Sequence, residues 1–121
     1  MFVLYTKING KWTEYASFKD RNGYADRVRA VAAEKKETAK TDEVKNAATV
    51  MEGFVLESCF YGKEYGKLVL RALRHFDEVG ISNDVCEALE EALDEGCEAF
   101  ALASSEENVS TYTEGVFDVR I

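Results

Sequence analysis

The first eighteen residues alternate in hydrophobicity in a way that predicts a β-hairpin. Two runs rich in β-branched and aromatic residues, 2–8 and 12–18, flank the dipeptide Asn9-Gly10. That dipeptide is typical of a type I′ turn, because both central residues of such a turn take positive φ. A two-residue loop pairs Phe2 with Ser17. Neither face of the hairpin is purely polar, so we expect both faces to be partly covered.

Apolar residues then recur at helical spacing in four stretches. The pattern predicts a first helix from Tyr24 and a second one from an N-cap at Thr41. The third stripe, over residues 65–76, is the most regular in the chain. A fourth helix is predicted from a cap within residues 82–84 to a stop at Gly96.

Glycines set the predicted boundaries between residues 41 and 80. The second stripe runs on to Cys59, after which Gly62 interrupts it. A break near Gly62 gives two helices, whereas its absence gives one long helix; we favour the break. Gly80 is the predicted end of the third helix.

The last quarter of the chain is harder to assign. Residues 97–104 fit either an extension of the fourth helix or a strand, and residues 105–110 fit a loop. Residues 111–121 predict a strand that is able to pair with the first one. The predicted fold class is therefore α+β: a small antiparallel sheet, made of the N-terminal hairpin and a C-terminal strand or hairpin, with three to four helices packed on one face.

Composition bounds the possible classes of protein. The chain has 121 residues, 46 % hydrophobic and 31 % charged, which predicts one folded domain over residues 1–121. Its apolar runs are too short to span a bilayer, and the start at Met1 lacks the pattern of a secretion signal, so we expect a cytoplasmic protein. The three cysteines form no CxxC pair and there is one histidine, so we expect no metal and no cofactor.

Charge is distributed unevenly along the chain. The net charge is about +4 over residues 1–40, about −2 over residues 41–80 and about −10 over residues 81–121. Such an asymmetry indicates an interaction surface. Because phosphates would be repelled by the acidic end, it argues against direct nucleic-acid binding.

The strongest candidate site is acidic. Six carboxylates recur every three to four residues on the predicted outer side of the fourth helix, with about one charge per 3 Å of helix, close to the ~3.4 Å per charge of one DNA strand. These residues are Glu87, Glu90, Glu91, Asp94, Glu95 and Glu98. A solvated helix face is the alternative interpretation, because acidic side chains also favour solubility.

A second candidate site is basic. Arginines presented together can hold phosphate or carboxylate groups through paired hydrogen bonds, and Tyr5, Tyr15 or Trp12 could stack on a base. The candidate residues are Arg27, Arg29, Arg71 and Arg74. This pattern favours a small nucleotide-like anion as the ligand, and an oligomer interface is one place where it could bind. The alternative is a solvated helix face.

Three other motifs are weak. Residues 62–67 resemble a phosphate-binding loop, but one residue is missing between the glycines and Leu68 replaces the required hydroxyl. His75 has no nucleophile partner in the sequence. Cys86 lies in the first turn of the fourth helix but is surrounded by acids, which oppose thiolate formation. The sequence thus predicts no catalytic constellation.

The prediction for function is a non-enzymatic, acidic protein-binding module that acts as a regulator or inhibitor. Its partner would be a protein with a basic groove. In the more specific version of this prediction, the partner handles nucleic acid and the chain presents a nucleic-acid-like surface to it. A phage or mobile-element origin would suit such a protein. Self-association, either head to tail or through the hairpin edge, is also compatible with the sequence.

Overall fold

The N-terminal hairpin forms as predicted and lies at one edge of a five-stranded sheet. The computed structural model describes residues 1–21, 23–77, 79 and 81–121. Strand β1 (Phe2–Ile8) and strand β2 (Lys11–Phe18) are joined by Asn9 and Gly10, whose φ angles are 51° and 77°. Both residues are left-handed, as the type I′ turn requires.

The far end of the hairpin departs from the predicted register. A β-bulge at Tyr15 inserts one extra residue into β2, so Phe2 pairs with Phe18 and not with Ser17. The bulge turns Phe18 toward the side occupied by Phe2, and both side chains are buried. Burial of an apolar residue therefore determines the register there.

Four helices follow, with caps that the sequence partly predicts. They are α1 (Tyr24–Thr38), α2 (Asp42–Leu56), α3 (Gly66–His75) and α4 (Ser82–Asp94). The Thr41 hydroxyl accepts a hydrogen bond from the backbone N–H of Val44 at 3.4 Å, which confirms the predicted N-cap of α2. For α1, the carboxylate of Asp20 accepts from the backbone N–H of Tyr24.

The break between α2 and α3 is confirmed, but it contains a strand that the sequence did not predict. Strand β3 (Cys59–Gly62) is followed by a single 3₁₀ turn (Lys63–Tyr65). The expectation that Cys59 belongs to a helical stripe is therefore wrong. The predicted stop at Gly80 lies outside the described residues.

The predicted cap of α4 is also wrong. Ser82 is the first helical residue, and its hydroxyl makes no cap hydrogen bond. It is fully buried and lies 3.0 Å from the Tyr24 hydroxyl. This contact joins the start of α4 to the start of α1.

The C-terminal half completes the sheet. Strand β4 (Ala99–Ser104) resolves the ambiguity over residues 97–104, and a two-residue strand, β5 (Thr113–Glu114), follows. The strand order is β2-β1-β4-β3-β5, antiparallel except for the parallel pair β3–β5. Strand β1 thus pairs with β4, so the expected pairing of the terminal strands is wrong.

Residues 115–121 extend along the helical layer without joining the sheet. Phe117, Val119 and Ile121 pack against the core, so the strand predicted over residues 111–121 is reduced to the two residues of β5. The segment is held by side chains of the helices: Asn46 Nδ2 donates to the carbonyl of Arg120 at 2.9 Å.

The helices cover one face of the sheet, which confirms the predicted α+β class. Leu4, Tyr61 and Phe100 point from the sheet into the main core, where they meet residues such as Phe54 and Leu89. The opposite face carries a smaller cluster. Within the described part of the chain, no helix has the length and apolar character needed to span a membrane.

Candidate functional site

Helix α4 is held firmly against the rest of the protein by one side. Val85, Leu89 and Ala92 recur at helical spacing and are buried. After the last helical turn, Gly96 has a φ of 86°, its N–H donates to the Leu93 carbonyl, and the N–H of Cys97 donates to the Ala92 carbonyl. This pair of bonds is a Schellman motif, which ends the helix and satisfies its last carbonyls.

All six predicted acidic residues are exposed, but they do not all belong to the helix. Glu87, Glu90, Glu91 and Asp94 lie within α4, and Glu95 is its C-cap residue. The expectation that Glu98 continues the same helical face is wrong. The turn at Gly96 carries the chain away, and Glu98 stands just before β4, where its N–H donates to the Lys7 carbonyl at 2.9 Å.

The two edges of the acidic face have partners on neighbouring elements. On the α3 side, Arg74 Nη2 lies 3.0 Å from Glu90 Oε2, with both side chains more than half exposed. On the β2 side, Tyr15 lies near Glu95 and Glu91. Partial burial and the interaction of the phenol with the carboxylates of Glu95 and Glu91 raise the pKa of Tyr15 to about 12.

Between these edges runs a row of carboxylates without countercharge. Glu87, Glu91 and Asp94 fall within an arc of about 60° on the helix and span about 10 Å of its axis. Among the residues that the structure describes, none of the three is in salt-bridge contact with a basic side chain. We call these three residues the acidic row.

The acidic row opposes the stability of its own helix. Like charges three or four residues apart cost a few tenths of a kcal/mol per pair. The last turn of α4 has no basic residue, so Asp94 also meets the negative end of the helix dipole unscreened. The row therefore has an energetic cost that a purely structural helix would not need.

The four candidate arginines occupy two helices. Arg71 and Arg74 are exposed on α3, where they line a surface groove of about 360 Å³ together with Lys67 and Leu70. Arg71 donates to the carbonyl of Ile121 at 3.0 Å.

Arg27 and Arg29 are exposed on α1, and Arg29 pairs with Asp26 at 3.3 Å. The extensive contacts of α1 are with α2, whereas α3 packs against both α2 and α4. The structure therefore separates the arginines of α1 from those of α3, and Arg27 and Arg29, two residues apart, lie on different sides of α1.

The loop that resembles a phosphate site is filled by its own side chain. It does connect a strand to a helix, β3 to α3, rather than two helices as expected. However, a Cβ on Gly62 would collide with the carboxylate of Glu64, so a negative charge stands where a phosphate would bind. Gly66 has a packing role, because a Cβ there would lie only 2.5 Å from Leu93 Cδ1.

The remaining polar candidates have structural surroundings. His75 is partly buried, with Nε2 3.6 Å from Glu43 Oε1. Burial raises the pKa of the Cys86 and Cys97 thiols, which opposes their use as nucleophiles. Within the described residues, no group of three or more His, Cys, Asp or Glu side chains is placed to hold a metal ion.

An aromatic surface lies on the sheet face away from the helices; the sequence indicated Tyr5 and Trp12 as stacking residues but not their contacts with β3 and β4. Trp12 of β2 and Phe60 of β3 meet edge to face with their ring centroids 5.4 Å apart. They do so across two intervening strands, because Ala101 of β4 is small and lies beneath them. The alternating alanines of β4 are the only local signal for this surface, and they are informative only once the strand order is known.

No protein-family model matches this chain, no curated protein matches it, and no solved structure matches it. Its function is therefore inferred from its own residues.

Proposed function

We propose that this chain is a non-enzymatic protein-binding module that presents the acidic face of α4 to a basic groove on a partner, as a regulator or inhibitor. The acidic row supports this proposal most directly. Three carboxylates that make no salt bridge with any described residue stand on a well-anchored helix, despite their cost to its stability. Fixed charges of one sign accelerate association with an oppositely charged surface and orient it.

The nucleic-acid-like version of the proposal has limited support. Charges of the acidic row are spaced by about 5 Å along the helix, wider than the ~3.4 Å per phosphate of one DNA strand. The closer spacing expected from sequence also counts Glu95, at the C-cap of α4, together with Glu90 and Glu98. Of the last two, Arg74 neutralises the first, and the second lies outside the helix. A compact basic site therefore fits α4 better than a long nucleic-acid groove does.

The test is affinity capture from the host lysate at low and high salt with three proteins as bait. These are the wild type, the variant Glu87→Lys/Glu91→Lys/Asp94→Lys, and a control. The control carries the same charge change at exposed acids elsewhere, Glu34, Glu37 and Glu57.

A partner retained by the wild type and the control at low salt, and lost with the α4 variant, is the expected result. Loss of that partner at high salt is also expected, because salt screens exposed charges. A partner that the α4 variant retains would contradict the proposal.

An anion-binding role for the α3 groove is the second candidate. Its support is the convergence of Lys67, Arg71 and Arg74 on one groove. A thermal-shift screen with nucleotides tests it, since a ligand at ~100 times its dissociation constant adds about 2.7 kcal/mol of stability. A shift that persists in Lys67→Ala/Arg71→Ala would contradict this site.

A further inference from the structure

The face of the sheet opposite the helices carries a half-buried group of aromatic side chains around one lysine. Four rings surround the flat floor that the β4 alanines provide. We call this group the open face; it consists of Tyr5, Lys7, Trp12, Phe60 and Tyr112. Tyrosine, tryptophan and phenylalanine are the residues enriched at the energetic centres of protein interfaces.

The rings of the open face already hold a cation. The Lys7 ammonium lies 5.9 Å from the ring centroid of Trp12 and 5.9 Å from that of Phe60. Both distances fall within the range of cation–π attraction. The pair of rings is therefore arranged so that one positive charge can face two π systems at once.

The rim of the open face is acidic, and hydrogen bonds from two tyrosines hold its carboxylates in place. The Tyr5 phenol donates to Glu14 Oε1 at 3.5 Å, and the Tyr112 phenol donates to Glu107 Oε2. Each of these two carboxylates keeps further lone pairs for an incoming donor. Two negative charges at the rim against the single positive charge of Lys7 favour a cationic ligand and repel a phosphate.

We propose that the open face is a second docking surface, and that it takes an extended, arginine-bearing segment of a partner protein. A guanidinium stacks on aromatic rings and pairs with carboxylates through a planar fork of donors. It would replace the Lys7 ammonium over Trp12 and Phe60 and bond to Glu14 or Glu107. This inference rests on the proposed function only in that the partner is a basic protein; the surface is separate from α4.

The probe is a fluorescein-labelled peptide, Gly-Arg-Gly-Arg-Gly-Arg-Gly, followed by anisotropy. The matched peptide with citrulline in place of arginine keeps the shape and removes the charge. Trp12 is the chain's single tryptophan, so unlabelled peptide is also titrated against its emission. Oligo(dT) of matched length is the nucleic-acid arm.

The expected result is binding of the arginine peptide, a change in Trp12 emission, and much weaker binding of the citrulline peptide. Trp12→Leu and Phe60→Leu keep an apolar side chain but remove the π face. Each should weaken binding by about 2–5-fold, the worth of an exposed cation–π contact. Thr13→Ala, an exposed position on the same strand, is the matched control and should change nothing.

Lys7→Met gives the sharpest result, because loss of folding cannot imitate it. Removing the resident ammonium should tighten binding of the arginine peptide by about 2–5-fold. Weaker binding by this variant would overturn the proposal, as would a larger response of Trp12 emission to oligo(dT) than to the arginine peptide.

One further variant separates this inference from the proposed function. Glu87→Gln/Glu91→Gln/Asp94→Asn removes the acidic row and leaves the open face intact. If this variant loses peptide binding while the Trp12 and Phe60 variants retain it, the open face is overturned as a docking surface and the α4 proposal still stands. Affinity capture with the α4 lysine variant tests that proposal independently, because the variant either loses or retains the partner.

Discussion

Removing the charge of the acidic row should make the protein more stable. The variant is Glu87→Gln/Glu91→Gln/Asp94→Asn, in which every side chain keeps its shape and its exposure. It removes about six like-charge pairs of carboxylates that are three or four residues apart along α4, and each pair costs ~0.2–0.5 kcal/mol of stability. The free energy of unfolding should therefore rise by about 1–3 kcal/mol at low salt, and the substitution at Asp94 also relieves the helix dipole.

The assay is thermal unfolding followed by circular dichroism at low and high ionic strength. For a chain of this size, about 4 °C of Tm corresponds to 1 kcal/mol, so the expected rise is about 4–12 °C at ~0.01 M salt. The gain should shrink at ~1 M salt, where the screening length is about 3 Å instead of about 30 Å.

Glu90→Gln is the matched control on the same helix. It also removes an exposed carboxylate, but one that pairs with Arg74 at 3.0 Å. The substitution relieves repulsion from the neighbouring carboxylates but also removes the ion pair, and an exposed ion pair is worth ~0–1 kcal/mol. The two effects should nearly cancel. A triple variant that is no more stable than the wild type at low salt would refute the claim that the acidic row is held against a cost in stability.

Three further predictions concern the frame that holds the site. In Gly115→Ala, the added methyl group would collide with the buried ring of Tyr61. The urea midpoint of unfolding should therefore fall by the equivalent of about 1–3 kcal/mol, and an unchanged midpoint would contradict that packing. The raised pKa of Tyr15 means that its contribution to stability is present below pH 10 and lost between pH 10 and about 12. Tyr15→Phe should flatten the alkaline fall in stability, and an unaltered fall would contradict the effect of burial and of the Glu95 and Glu91 carboxylates on Tyr15. Cys97, which is buried and has a raised pKa, should react with a thiol reagent only on unfolding, whereas half-buried Cys59 should react in the native protein; equal rates would disprove this difference in access.

Elements that depend on local signals could be predicted from sequence. The Asn9-Gly10 turn and the Thr41 cap act through backbone geometry within a few residues, and both form as expected. The bulge in β2 has no such local signal. It follows from the burial of Phe18 beside Phe2, a tertiary effect that the turn alone cannot predict.

Strand β3 was missed for a related reason. It is four residues long, and its first residue, Cys59, is in phase with the preceding helical stripe, so periodicity did not separate the two. Its pairing with β4 defines it as a strand. The strand predicted over residues 111–121 is wrong beyond β5, because Phe117, Val119 and Ile121 pack against the core beside the sheet and not within it.

The candidate site likewise combines features that the sequence predicts with features that only the folded structure determines. The exposure of the α4 carboxylates follows from helical spacing, and the sequence predicted it. Which of them have a partner depends on neighbours from other elements, Arg74 on one side and Tyr15 on the other. The open face was beyond prediction, because Trp12 and Phe60 meet only through the strand order of the finished sheet.

Carboxylate footprinting of the partner complex tests the central claim most directly. Carbodiimide coupling followed by mass spectrometry measures the accessibility of each acidic side chain in the free and the bound protein. We expect Glu87, Glu91 and Asp94 to be protected in the complex, while Glu34 and Glu37 of α1 stay as reactive as in the free protein. Unchanged labelling of the acidic row in the bound state would contradict the assignment of α4 as the partner-binding surface.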